Sequence, residues 1–390
     1  MSESALITWT EAGASRTARW RSESGASAPK RVQIADDTFT ADAAFRLASE
    51  GTALLWRGDF QNARLLLQAL ARRIDKPKKV KREKPGAPSV SALDAFNLHR
   101  QAQSQRARTL AMLVLEFDGG HQLALRRAPD VTQACKEAYG PGDVAQGAYL
   151  VSLRELLGLI GAHEWRKKGV EIDALGGQRI HPHYGVFAPV RGEYLGLVAD
   201  TDLPAVLAAE SLAFDLGTGT GVLAAVLARR GLKRVVATDQ DTRALVCAAE
   251  NLARLGLSDT VSLESVDLFP AGRAPLIVCN PPWVPARPSS PIEHAVYDPD
   301  SRMLRGFLSG LAPHLAVGGE AWLILSDLAE HLGLRSRAEL LDWIDTAGLQ
   351  VLARRDAKPQ HAKVFDQNDA LHTARAAEVT SLWRLAAKPA

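Results

Sequence analysis

The stretch SLAFDLGTGTGVLAAVLARRG, residues 211–231, constrains the fold more than any other part of the chain. A short apolar run reaches Leu216, glycines alternate at 217, 219 and 221, and an apolar helical pattern follows at once. Glycine accepts positive φ without steric cost, so the run ends in a tight turn. The helix then begins with its unpaired N–H groups facing that turn. A strand feeding a helix through a glycine turn is the opening of a parallel β-α unit. Six further apolar runs read as strands: RVVATDQD (234–241), VSLESVDLF (261–269), PLIVCN (275–280), GGEAWLILSD (318–327), LQVLARRD (349–356) and VTSLWRLAA (379–387). Helical patterns such as TRALVCAAENLARLG lie between them. The fold class expected is α/β, a mostly parallel sheet with helices on both faces.

Ahead of this region the pattern is weaker. Residues 1–35 are rich in Ser, Arg and Ala and read as a disordered tail; Glu3, Glu11 and Glu23 argue against a transit peptide. Residues 36–178 read as a separate α/β domain. TADAAFRLASEG (40–51) and NARLLLQALARRI (62–74) have helical spacing, and TALLWRGD (52–59) between them reads as strand and turn. DKPKKVKREKPGAP (75–88) holds six basic residues, two acidic residues and three prolines, so 75–91 reads as an exposed basic loop. Residues 92–112 read as helix, 110–120 as strand, and 131–168 as mainly helix. The catalytic domain is expected over 179–390.

At 390 residues, 46% hydrophobic and 23% charged, the composition is that of a globular protein. No apolar run approaches the length of a membrane span. Cys135, Cys247 and Cys279 are far apart, with no disulfide or zinc spacing, which suits a reducing cytoplasm; no metal and no membrane partner are expected. Residues 1–110 hold 19 Lys and Arg against 11 Asp and Glu, a basic front half able to attract RNA or a ribosomal particle.

Three carboxylates, Asp215, Asp239 and Asp267, fall at the ends of three successive strands. In an open parallel sheet that edge is where ligands bind. There Asp239 would hold two ribose hydroxyls and Asp267 would accept from an adenine amino group. Taken singly each is an ordinary turn former; together they point to a nucleoside site.

These motifs, DLGTGTG (215–221), TDQD (238–241), AAEN (248–251), VDLF (266–269) and NPPW (280–283), resemble those of class I S-adenosylmethionine-dependent methyltransferases over roughly residues 180–390. The similarity is greatest to the "methyltransferase small" group, which includes release-factor glutamine N-methyltransferases and rRNA guanine-N2 methyltransferases. HPHYGVFAPVRGEYL (181–195) resembles the segment those enzymes place before their first strand. The resemblance implies a seven-stranded Rossmann-like sheet of order 3-2-1-4-5-7-6 with strand 7 antiparallel, and S-adenosyl-L-methionine as cofactor. It implies that Gly217 and Gly219 let the backbone approach the methionyl part and that Asp215 supports the loop and the cofactor's amino end. Asp239 would hold the ribose, and Asp267 with Leu268 the adenine. Thr218, Gly221, Gln240 and Asn280 complete the cofactor surface.

The same resemblance explains IVCNPPWVPARP (277–288). Prolines end the strand and stiffen the main chain. The Asn280 side-chain oxygen and the Pro281 carbonyl would accept the two N–H bonds of a planar nitrogen, with Pro282 holding the loop and Trp283 stacking on the acceptor. Trp283 stands where Tyr or Phe is usual. Phe187, Arg191, Tyr194 and Tyr297 are candidate substrate contacts, Tyr297 with Asp298 shaping the acceptor loop. His361, Lys363 and Arg375 are candidates for meeting a polyanion. The activity expected is N-methyl transfer to a macromolecule, first to an exocyclic base amine of rRNA and alternatively to a protein glutamine. Two competing functions are weaker: a catalytically inactive cofactor-binding scaffold would have little use for NPPW, and small-molecule methyltransferases commonly lack NPP. The front domain is read either as a substrate-binding domain or as a degenerate copy of the catalytic fold.

Overall fold

The computed structural model describes residues 5–76, 91–190, 192–288, 291–359, 366–367 and 369–389. It divides into two compact units, Met1–Val90 with Asn97–Glu164, and Ser91–Phe96 with Trp165–Ala390. The division therefore falls at Glu164, earlier than the expected 178.

The first unit begins with order where a tail was expected. Strands β1 (Leu6–Glu11) and β2 (Ala14–Trp20) form an antiparallel hairpin, and β3 (Arg31–Ala35) follows. The hairpin turns at Ala12 and Gly13, with φ of 48° and 78°, the left-handed pair that matches strand twist. Side chains alternate: Ile7 and Trp9 of β1 and Ala18 and Trp20 of β2 are buried. That period of two was concealed by a composition poor in large apolar residues. Helix α1 (Ala41–Ser49), β4 (Thr52–Trp56), α2 (Phe60–Ile74), α3 (Ala92–Leu110) and β5 (Leu113–Phe117) come next. In the mainly helical stretch 131–168, α4 (Thr132–Tyr139) and α5 (Leu153–Lys168) flank a strand, β6 (Tyr149–Ser152). YLVS is too short to show a period, and all four of its residues are buried. The sheet order is β1-β2-β6-β5-β4-β3. The expected basic loop lies mostly outside the described residues. At its near end Asp75 pairs with Arg106 at 2.8 Å.

The second unit contains a short hairpin, β7 (Val170–Ile172) and β8 (Gln178–Ile180), helix α6 (Glu193–Asp200), and then the glycine-loop strand β9 (Leu212–Leu216). Helix α7 (Val222–Arg229), β10 (Arg234–Asp239), α8 (Thr242–Arg254), β11 (Val261–Ser265), β12 (Ala274–Cys279), α9 (Arg302–His314) and β13 (Leu315–Ser326) follow. Helices α10 (Leu328–His331) and α11 (Arg337–Thr346), β14 (Leu349–Ala357), α12 (His372–Ala377) and β15 (Thr380–Ala387) complete it. All seven expected strands are present, in the order β11-β10-β9-β12-β13-β15-β14. Counted from β9, this is 3-2-1-4-5-7-6, with β15 antiparallel to both neighbours.

One face of the sheet packs Val198, Val222, Val226, Ala248 and Leu252 from α6, α7 and α8 against Ala213, Val235, Val278 and Trp322. The other packs Leu304, Phe307, Leu308 and Leu311 of α9 and Leu340 and Ile344 of α11 against Phe214, Ile277 and Leu323. Each large apolar side chain buried this way stabilises by about 1.5–3 kcal/mol. Two such layers fix the strands and leave the C-terminal ends of β9, β10 and β12 as one rim. Among the described residues no helix is long and apolar enough to cross a membrane.

Candidate active site

The rim is built from three strand ends. At the first, Gly217, Gly219 and Gly221 take φ of 71°, 55° and 80°. Their positions are not equivalent. A Cβ on Gly217 would meet Met303 Cε at 2.6 Å, and one on Gly221 would meet Ala248 Cβ at 3.2 Å, whereas one on Gly219 would meet nothing within 4 Å. Gly219 thus faces open space at the mouth of the loop. Thr218 N–H donates to the Thr238 carbonyl at 2.8 Å, tying the loop to β10.

Asp215 is fully buried beneath this loop. Its Oδ2 accepts from Thr218 Oγ1 at 2.6 Å and from Ala224 N–H at 3.0 Å, while its Oδ1 is buried and has no hydrogen-bond partner. Burial pushes its carboxyl up to about 6, against the pull of the Thr218 and Ala224 hydrogen bonds, and nearby Asp239 adds to the rise. An orphaned carboxylate oxygen is costly unless a donor completes it. At the end of β10, Asp239 accepts from Gly219 N–H at 3.0 Å and Asp241 N–H at 2.9 Å, and burial raises its pKa as well. Gln240 beside it is exposed.

A buried oxygen lacking a donor, an open glycine and a half-buried carboxylate one strand away fit S-adenosylmethionine, which carries an ammonium group and a ribose diol. Asp215 Oδ1 would take the ammonium end and Asp239 the ribose. The adenine end is arranged differently from expectation. Asp267 is exposed and paired with Arg302 at 2.9 Å. Leu268 takes φ of 71°, and its carbonyl accepts from Thr238 Oγ1 at 2.6 Å. It is the Leu268 backbone that is fixed to the rim.

The third strand end carries NPPW. Asn280 follows β12 directly, and Trp283 Nε1–H donates to Asn280 Oδ1 at 2.9 Å. An indole nitrogen only donates, so it fixes which end of the carboxamide is oxygen. A carboxamide oxygen has two lone pairs, and one remains for a ligand. The indole packs against three apolar clusters, one on each face of the sheet and one that includes Val284 and Leu332. The expected stacking role therefore shares the ring with a task that Tyr or Phe cannot perform in that geometry. Downstream, Val284 and Tyr297 form a parallel bridge, and Asp298 accepts from Met303 and Leu304 N–H groups. This holds Tyr297 and Asp298 beside Val284, where Asp298 N–H donates to the Val284 carbonyl at 2.9 Å. Met303, which sequence reasoning missed, is thereby brought over Gly217.

Of the remaining expected contacts, Phe187 is half-buried in the segment whose Val186 packs on Ala244 and Cys247 of α8. Tyr194, a candidate substrate contact, is 4% exposed in the core on one face of the sheet; burial raises its hydroxyl pKa. It sits at a helical position whose neighbours Leu195, Leu197 and Val198 are also buried. Arg191, His361 and Lys363 lie outside the described residues. Arg375 is paired with Asp369 at 2.7 Å. Sequence reasoning also gave no role to Asn251, 1% exposed, whose Oδ1 accepts from His181 N–H at 2.8 Å. Its Nδ2 donates to the Thr220 carbonyl at 3.1 Å. It ties the 181–187 segment to the glycine loop.

Residues 197–336 match the methyltransferase small domain.

This region is similar to S-adenosylmethionine-dependent methyltransferases. The chain is 40% identical over 111 residues to a release factor glutamine methyltransferase of Cereibacter sphaeroides, covering 27% of this chain and 36% of the relative. It is 34% identical over 149 residues to a ribosomal protein L11 methyltransferase of Sorangium cellulosum, 36% of this chain and 41% of the relative. It is 42% identical over 76 residues to a ribosomal protein uL3 glutamine methyltransferase of Bordetella pertussis, 18% of this chain and 26% of the relative. The chain thus spans well under two thirds of the length of these relatives.

Proposed function

We propose that the chain transfers a methyl group from S-adenosylmethionine to a planar nitrogen of a macromolecule, the side-chain amide of a protein glutamine. The observation that carries this reading is Asn280. Its carboxamide oxygen is oriented by Trp283 and stands on the strand next to the one whose loop fits the cofactor. When bound, the cofactor supplies an activated methyl on a sulfonium.

The chain's own residues would do the rest. An amide nitrogen is a poor nucleophile because its lone pair is delocalised into the carbonyl. The free lone pair of Asn280 Oδ1 and the Pro281 carbonyl accept its two N–H bonds and turn the nitrogen lone pair toward the methyl. The prolines limit drift of both acceptors. Positioning of this kind can supply about 7–11 kcal/mol of the barrier. The surplus proton leaves the nitrogen after transfer, so no strong base is required at the site.

The choice of a protein over RNA reverses the preference drawn from the basic front half. Two of the relatives above are glutamine methyltransferases by name and the third acts on a ribosomal protein. Transfer of labelled methyl into a cell lysate separates the readings: label is expected to resist nuclease and be lost to protease, and the opposite result would overturn the protein reading. Asn280→Ala is expected to keep the cofactor-induced thermal shift and lower turnover about a hundredfold. Unchanged turnover would remove Asn280 from the reaction.

A further inference from the structure

Arg335 is 4% exposed, and its Nε and Nη2 are both buried with no hydrogen-bond partner. A guanidinium is charged throughout the ordinary pH range, so leaving one edge of it unsatisfied in the interior is costly. Burial lowers its pKa, and the charges of Glu330, Asp298 and Glu339 oppose that fall.

None of these three acids pairs with it. Glu330 Oε1 holds Arg337 Nε at 2.7 Å. Asp298 accepts the Met303 and Leu304 N–H groups, and Glu339 is spent in the capping box of α11 with Ser336. Their charges favour the guanidinium, but its Nε and Nη2 hydrogens remain without an acceptor.

The location gives this meaning. Arg335 follows α10, just beyond the C-terminal end of β13, and β13 is the parallel neighbour of the strand that carries Asn280. Leu332 and Leu334, immediately before it, pack with Val284, Trp283 and Tyr297. The residue therefore belongs to the NPPW side of the rim, away from the glycine loop that fits the cofactor. The unpaired Nε–Nη2 edge is the side of a guanidinium that matches a carboxylate with two parallel hydrogen bonds.

We propose that Arg335 is an anchor for a carboxylate of the acceptor protein, an Asp or Glu side chain close to the glutamine that receives the methyl. This rests on the protein-glutamine reading above and goes beyond it by naming a specificity determinant. A nucleic-acid phosphate is the poorer occupant. A phosphate backbone is held by several cations in series, whereas the neighbouring Arg337 is already paired with Glu330.

The test uses the full chain with S-adenosylmethionine and capped pentapeptides, each with a central glutamine flanked by either Glu or Ala. The wild type is expected to methylate the Glu peptides with kcat/KM about ten- to hundredfold higher, chiefly through KM. Arg335→Met should keep the cofactor-induced thermal shift, with equal or higher Tm because the orphaned charge is gone, and should treat both peptides alike. Arg335→Lys should restore part of the preference. A wild type indifferent to flanking charge, or an Arg335→Met variant that retains the preference, would overturn the anchor while leaving glutamine methylation standing. Competition by a short single-stranded RNA that Arg335→Met relieves would also overturn it. Failure to methylate any peptide would instead remove the protein-glutamine reading, and this inference with it.

Discussion

At Asn280 one indole nitrogen decides how a carboxamide points. Trp283 occupies one lone pair of the oxygen and turns the NH2 end away from it. An Asp at 280 would present oxygen at both ends and need no such guide. Trp283→Phe is therefore expected to lower turnover about tenfold in the native background and much less in an Asn280→Asp background. The double-mutant cycle measures the coupling, and additivity would return Trp283 to a packing role. Asp215 gives a second prediction. Its folded-state pKa of about 6 lies above the ordinary 3.8. Its protonated form thus favours the fold below pH 3.8, and that contribution is lost as pH rises through 6. Cofactor binding runs the opposite way, since the ammonium end needs the ionised form. Affinity should rise about tenfold from pH 5 to pH 7, and Asp215→Asn should flatten the profile in a titration calorimeter.

Among elements, the legible parts and the hidden parts differ for a physical reason. The seven strands from 212 to 387 are separated by helices except between β11 and β12, and their apolar runs with punctuating glycines and prolines are signals a single sequence carries. The first hairpin carries only Ile7, Trp9, Ala18 and Trp20 as inward residues, so alternation is present but thin. Within the candidate site, DLGTGTG and Asp239 were readable because their spacing places them at strand ends, and NPPW because it resembles a methyltransferase motif. Met303, the bond from Trp283 to Asn280 and the links made by Asn251 were not, since each depends on where distant segments meet. Asn251 is a tie between elements: it joins α8, the glycine loop and residue 181. Asn251→Ala would leave the His181 N–H and the Thr220 carbonyl without their partner and should cost about 2–3 kcal/mol, read as a drop in Tm. It should also weaken cofactor binding, although in this reading the residue touches no cofactor.

For the whole molecule, the basic excess of residues 1–110 and the unpaired guanidinium edge of Arg335 point to different acceptors, and salt distinguishes them. An enzyme that holds RNA through six or more phosphates would lose about a thousandfold or more in affinity between 50 and 200 mM salt. Acceptor methylation by this chain is expected to fall less than about tenfold over that range. A steeper loss would return the acceptor to RNA.

Strand β15 lies between β13 and β14, although β14 comes first in the chain. On a translating ribosome β14 therefore emerges with no neighbour to bond, because β15 is its sole strand partner among the described residues. Residues 358–387 must be made before the two can join. At about 5–20 residues per second that wait lasts a few seconds. For that time the nascent chain carries an open strand edge beside the exit port, a period when chaperone binding or self-association has its best opportunity.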